Sequence, residues 1–266
     1  MNRYETTFAA TRAQKRTAFI PFAVAGDPDL SQSEAIFKTY VDAGADILEI
    51  GYPFSDPIAD GPVNQRAAIR SLAARTDHDR FFRLMKTLRG YTDIPFGLLV
   101  YANTVIHLGY DTFCKRAADS GVDSVLIADL PPEEGEQFNT ARLKNDLASV
   151  YIVSELTPRD RMAMICKEIS GFVYVVSRLG PTGAAKDLGS AVKPLLQSLK
   201  KVTRQPLCVG FGVSTPDQVA ALGRSGADGV IVGSALVKTI ESSLGDSKGM
   251  ITKLYKQVCE YRKATV

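Results

Sequence analysis

Apolar residues along the chain gather into short runs rich in Val, Ile, Leu and Ala, and each run is followed by a longer stretch with helical spacing. This alternation predicts eight strands, over residues 18–25, 47–50, 96–101, 124–128, 149–153, 172–177, 207–209 and 229–232. Helices are predicted between them, for example over 33–43, 111–120, 159–170, 191–200 and 216–225. Two more helical stretches, 63–74 and 79–90, fall between the second and third strands. Near-continuous apolar strands belong to parallel sheets covered by helices on both faces.

Three helix-to-strand joints share one pattern: Ala43-Gly44-Ala45-Asp46, Ser120-Gly121-Val122-Asp123 and Ser225-Gly226-Ala227-Asp228. Glycine suits the left-handed residue that closes a helix, and the acid leads into the next strand, so these read as repeated turns at the bottom of the sheet. At roughly 150 residues per domain, 266 residues allow two domains or one large barrel. No Pro/Gly/Ser-rich linker divides the series, and the repeated βα units favour the barrel. The expected fold is α/β, a (β/α)8 TIM barrel with extra helices between strands 2 and 3, forming a single domain over residues 1–266.

Composition narrows the function. With 45% apolar and 23% charged residues the chain can bury a full core. The 32 Lys and Arg against 29 Asp and Glu leave +3, with no basic run to track a polynucleotide, so nucleic acid is not expected as a partner. Arg3, Glu5, Arg12, Lys15 and Arg16 interrupt the stretch a signal peptide would need apolar. The longest apolar stretches fall short of the roughly 20 residues of a membrane span, and a cytoplasmic location is expected. Cys114, Cys166, Cys208 and Cys259 form no CxxC, and His78 and His107 are the only histidines, so reduced, mostly buried thiols are expected and no metal site.

Barrel chemistry sits at the carboxyl ends of the strands. In Asp46-Ile47-Leu48-Glu49-Ile50-Gly51, alternation sends Glu49 inward if Leu48 and Ile50 face the helices. A carboxyl there would have a raised pKa suited to moving protons, or would be paired with a basic residue. The following loop, Tyr52 to Pro62, carries three prolines and could act as a lid; its Asp60 is either a second carboxylate over the mouth or a helix N-cap. Glycine-rich turns, Gly210-Phe211-Gly212 and Gly233-Ser234-Ala235, follow the last two strands, supported by Gly180-Pro181-Thr182-Gly183 after the sixth; they are a phosphate site or ordinary tight turns. No lysine stands at a strand end to form a Schiff base, so carbon chemistry would run on acids.

These residues, in this order, resemble the tryptophan synthase α subunit family. The likeness runs from about Phe19 to Lys238 and includes Ala25-Gly26-Asp27-Pro28, Glu49-Ile50-Gly51, Pro53-Phe54-Ser55-Asp56-Pro57, Ala59-Asp60-Gly61-Pro62, Asp129-Leu130-Pro131, Ser177-Arg178, Thr182-Gly183 and both glycine turns. The resemblance implies retro-aldol cleavage of indole-3-glycerol phosphate to indole and D-glyceraldehyde 3-phosphate. By the same resemblance Glu49 is the acid and base, Asp60 stabilises the protonated indole at its N–H, and Tyr174 and Thr182 hold the closed loop and reacting groups. Phe22, Leu99, Ala128 and Ile152 would wall the indole pocket beside Tyr101 and Phe211, though barrel packing would explain such residues equally. Gly183, Phe211, Gly212, Gly233 and Ser234 would cradle the phosphate.

The resemblance also implies a β subunit partner in an α2β2 tetramer, with Pro53, Asp56 and Pro57 near the contact. Pyridoxal phosphate is expected in that partner and no cofactor in this chain. Alternatives are a free-standing indole-3-glycerol phosphate lyase, a non-catalytic allosteric partner of a β subunit, or another phosphosugar isomerase or epimerase on the same fold. The chain departs from the family pattern at Ser154-Glu155-Leu156 and at Leu179-Gly180-Pro181, changes expected to alter loop closure and to leave Glu49 and Asp60 untouched.

Overall fold

A computed structural model describes residues 2–176 and 188–266. The chain starts with helix α1 (Arg3–Ala13) and then alternates: β1 (Ala18–Val24), α2 (Leu30–Asp42), β2 (Leu48–Gly51), α3 (Pro62–Ala73), α4 (His78–Arg89), β3 (Phe96–Val100), α5 (Ala102–Leu108), α6 (Tyr110–Asp119) and β4 (Ser124–Ile127). It continues through α7 (Glu136–Lys144), β5 (Ala148–Ser149), β6 (Tyr151–Ser154), α8 (Arg159–Glu168), β7 (Val173–Val176), α9 (Leu188–Leu199), β8 (Leu207–Gly210), α10 (Pro216–Arg224), β9 (Gly229–Val232), α11 (Ser234–Glu241) and α12 (Ser247–Lys263). All strand pairs are parallel, in the order β5-β4-β3-β2-β1-β9-β8-β7-β6.

The two ends of that order, β5 and β6, are separated only by Val150, so they are halves of one stave. The lower half pairs with β4 and the upper with β7. The nine strands therefore make up eight staves around one almost closed barrel, with the predicted fifth strand broken where it changes neighbours. The extra helices α3 and α4 do lie between β2 and β3.

Strand parity divides the apolar residues into two sets. Leu48, Ile50, Leu98, Val100, Val125, Ile127, Val173 and Val175 pack outward against the helices. Ile20, Ile47, Leu126, Phe172, Tyr174, Cys208 and Ile231 fill the interior. Helix α1 closes the floor: Tyr4 and Phe8, one turn apart, pack into that interior set, and the Tyr4 hydroxyl lies 2.7 Å from Ser124 Oγ. Its N-terminus is set by a reciprocal cap between Asn2 and Glu5.

The repeated turns explain why their acids are there. Gly44, Gly121 and Gly226 have φ of 98°, 87° and 98°, which only glycine adopts without strain. Asp46 then accepts from the Phe19 amide at 2.8 Å, Asp123 from the Phe96 amide at 2.7 Å and Asp228 from the Leu207 amide at 3.0 Å. Each acid satisfies a backbone donor at the start of an adjacent stave, leaving the opposite end of the barrel free of this fastening and open for chemistry.

Candidate active site

Glu49 pairs with Phe22 on β1 and Gly97 on β3, well inside the strands, and its neighbours Leu48 and Ile50 pack against the helices. Its side chain therefore enters the barrel, where only 5% of the residue is exposed. Among the described residues no hydrogen-bond or ion-pair partner reaches its carboxyl, so the paired-acid alternative is not realised. Burial, with the Asp60 charge adding to it, pushes this carboxyl up to about 8. At neutral pH Glu49 carries its proton.

Asp60 sits at the mouth, at the end of the loop leaving β2. It does not cap α3: the N-cap is Gly61, with no side-chain hydrogen bond there. Its carboxylate is gripped from two sides instead. The Tyr101 hydroxyl donates to Oδ2 at 2.8 Å, and Asn64 Nδ2 donates to Oδ1 at 3.1 Å. Tyr101 also accepts from the Ala59 amide at 3.2 Å and stacks on Phe54, with ring centroids 5.2 Å apart. Burial and Asp60 push the Tyr101 phenol upward, so it remains a donor. Tyr174, buried beneath, is pushed up by burial and by the charges of Glu49 and Asp60.

Both acids line one cavity of about 740 Å³ at the carboxyl ends of the strands. Phe22, Leu99, Tyr101, Ala128, Ile152, Tyr174, Phe211, Gly212, Gly233 and Ser234 line it too, so the structure brings these expected residues together. Ile152 is 36% exposed, which for an inward position on β6 means exposure to the cavity. Thr182 and Gly183 lie outside the described residues. Helix α11 opens at Ser234 on Gly233, with no side-chain cap and no acid in its first turn, so its leading amides remain available to an anion. After the neighbouring stave β8, Phe211 and Gly212 both have positive φ, 85° and 77°. For a bulky residue such as Phe211 that conformation is strained, as backbone at functional sites commonly is.

Asn64 and Gln218 line the cavity as well, and sequence reading passed over both. An amide four residues after a candidate acid, at the opening of a helix, was the available signal for Asn64. In the loop between β2 and α3, Pro53 and Pro57 are buried while Asp56 and Ile58 are exposed, Ile58 to 81%. Cys114, Cys166 and Cys208 are buried free thiols and Cys259 is half-buried. Among the described residues no group of three His, Cys, Asp or Glu could hold a metal ion, and no helix is long and apolar enough to cross a membrane.

A parallel α/β barrel with a buried acid inside its mouth, a second carboxylate held beside it and glycine turns on its last two staves defines the class of barrel whose cavity is suited to acid–base chemistry. Comparison with known proteins supplies the branch. The family model described as tryptophan synthase alpha chain matches residues 8–266, and the chain belongs to that family. Membership makes it a lyase.

The tryptophan synthase alpha chain of Methanothermobacter thermautotrophicus is 46% identical over 239 residues, covering 90% of this chain and 88% of that one. The corresponding chain of Salmonella typhimurium is 41% identical over 266 residues, covering 100% and 99%. Among solved structures, the alpha subunit from Legionella pneumophila superposes with a TM-score of 0.91 at 33% identity, covering 100% of this chain and 98% of that one. Tryptophan synthase from M. tuberculosis in an aminoacrylate-bound form superposes with a TM-score of 0.89 at 28% identity and full coverage of both chains.

Proposed function

We propose that this chain cleaves indole-3-glycerol phosphate to indole and D-glyceraldehyde 3-phosphate by a retro-aldol step. The observation that carries the reading is the unpaired, buried Glu49 sharing a cavity with a clamped Asp60. Breaking the carbon–carbon bond needs an electron sink, and a protonated indole ring is one. Glu49 gives its proton to indole C3, and the positive charge this creates at the ring nitrogen is stabilised by Asp60. The bond to the glycerol carbon then breaks, its electron pair returns to the ring, and the proton of the adjacent hydroxyl passes to the Glu49 carboxylate as the aldehyde forms. Glu49 ends the cycle protonated, as it began. The two acids can divide these tasks because their surroundings differ, one dry and unpartnered, the other hydrogen-bonded.

Phe22, Leu99, Ala128 and Ile152 would hold the flat ring, and Tyr174 the reacting end. Gly212, Gly233 and Ser234, with Gly183, would take the phosphate on backbone donors, which needs no strongly basic protein. As proposed, the steps draw on no cofactor in this chain. The chain would work as one cytoplasmic barrel domain in an α2β2 assembly, with Pro53, Asp56 and Pro57 near the contact. The β partner would join indole to serine on its own pyridoxal phosphate.

The deciding experiment is indole release from indole-3-glycerol phosphate by the purified chain, alone and with a tryptophan synthase β subunit. Release that accelerates with β is the expected result. A high rate unchanged by β would favour the free-standing lyase. No release in either case, with Glu49→Gln indistinguishable from wild type, would favour a non-catalytic partner.

A further inference from the structure

We propose that Asn64 is a positioning residue that holds the Asp60 carboxylate in its working orientation, an inference that rests on the reaction proposed above. Asn64 is the third residue of α3, in its first turn, and lines the cavity. Its amide nitrogen donates to Asp60 Oδ1 at 3.1 Å while Tyr101 donates to Oδ2 at 2.8 Å. Both donors are neutral. They fix the plane of the carboxylate without neutralising it, so its charge stays available for a cation developing on the substrate, a role an arginine or lysine clamp would blunt.

The other end of the same amide shows that the residue does not serve the fold. A carboxylate accepts only donors, so the nitrogen must face Asp60 and the carbonyl oxygen must face away. That oxygen is buried and has no hydrogen-bond partner among the described residues. A buried acceptor without a donor destabilises the native state, and a leucine of similar size would fill the place without that cost. Asparagine is also a weak helix former, and here it contributes no cap to α3. A residue that costs stability in two ways, and adds no cap in return, while holding one acid is placed for that acid.

The test uses Asn64→Leu and Asn64→Ala, alone and combined with Asp60→Asn, reading indole release and melting temperature. Each single Asn64 variant is expected to lose about 10- to 100-fold in kcat with KM within about threefold of wild type. Asn64→Leu should melt at or above the wild-type temperature. On the Asp60→Asn background the same substitutions should change kcat less than about twofold, because there is no carboxylate left to position. The inference is overturned if both single variants keep kcat within twofold of wild type, if the loss is the same with and without Asp60, or if both variants melt well below wild type. Wild-type turnover decides the reaction separately: were it absent, that reading would fall, and the melting temperatures would still decide whether the fold requires Asn64.

Discussion

Glu49→Gln is the substitution that separates the electrostatics of the site from its shape, because it exchanges a buried acid for an amide of nearly equal volume. In the folded protein the Glu49 carboxyl titrates at about 8 against an ordinary value of 4.5. A carboxyl whose folded pKa stands above its unfolded one binds its proton more tightly in the native state. Stability is therefore fully retained below about pH 4.5 and is lost as pH rises toward about 8. At about 1.4 kcal/mol per pKa unit, wild type should lose about 3 kcal/mol relative to Glu49→Gln between about pH 5 and pH 8. Urea unfolding of both proteins across that range, followed by far-ultraviolet circular dichroism, measures the gap directly. Turnover should fall about 10²- to 10⁴-fold in the variant. In wild type it should decline as pH rises through about 8, when the acid loses its proton. A stability gap that stays constant with pH would refute the claim that Glu49 is held protonated by burial.

Asp60→Asn keeps the shape of the second acid and removes its charge; kcat should fall about 100-fold or more with KM little changed, read by indole release. At Gly210 an added Cβ would lie 2.5 Å from the Tyr174 hydroxyl and 2.7 Å from its Cζ, so Gly210→Ala should displace that ring and lower kcat by about tenfold or more. Near-ultraviolet circular dichroism would register the moved tyrosine. Arg70 forms a two-pronged pair with the fully buried Asp27 carboxylate at 2.7 and 2.9 Å, and burial already pushes that acid up. Arg70→Ala leaves Asp27 buried without its partner and should cost about 3 kcal/mol in urea unfolding, whereas Asp27→Asn with Arg70→Ala should cost less than Arg70→Ala alone.

Much of the barrel is legible in the chain because its rules are local. A stave buried on both sides needs a continuous apolar run, and the residue after a helix needs a left-handed glycine, so β9 is found at 229–232 and the three bottom turns at Gly44, Gly121 and Gly226. The inward direction of Glu49 followed from parity, since Leu48 and Ile50 had to meet the helices. The floor helix α1 was missed because only Tyr4, Phe8 and Thr11 of its residues are buried, too few among charges to make a periodic face. The break at Val150 was missed because a change of neighbours leaves no mark on periodicity.

The site divides along the same line. Residue types and alternation alone determined that an acid would stand inside the second stave with glycine turns on the seventh and eighth, because each depends on neighbours two or three residues away. Only the folded chain decided that Glu49 lacks a partner among the described residues, that Tyr101 reaches Asp60 across 41 residues, and that Asn64 is committed to one oxygen of that acid. Those outcomes turn on which side chains from separate staves and loops share a dry space, and proximity of that kind is created by packing and carried by no local pattern.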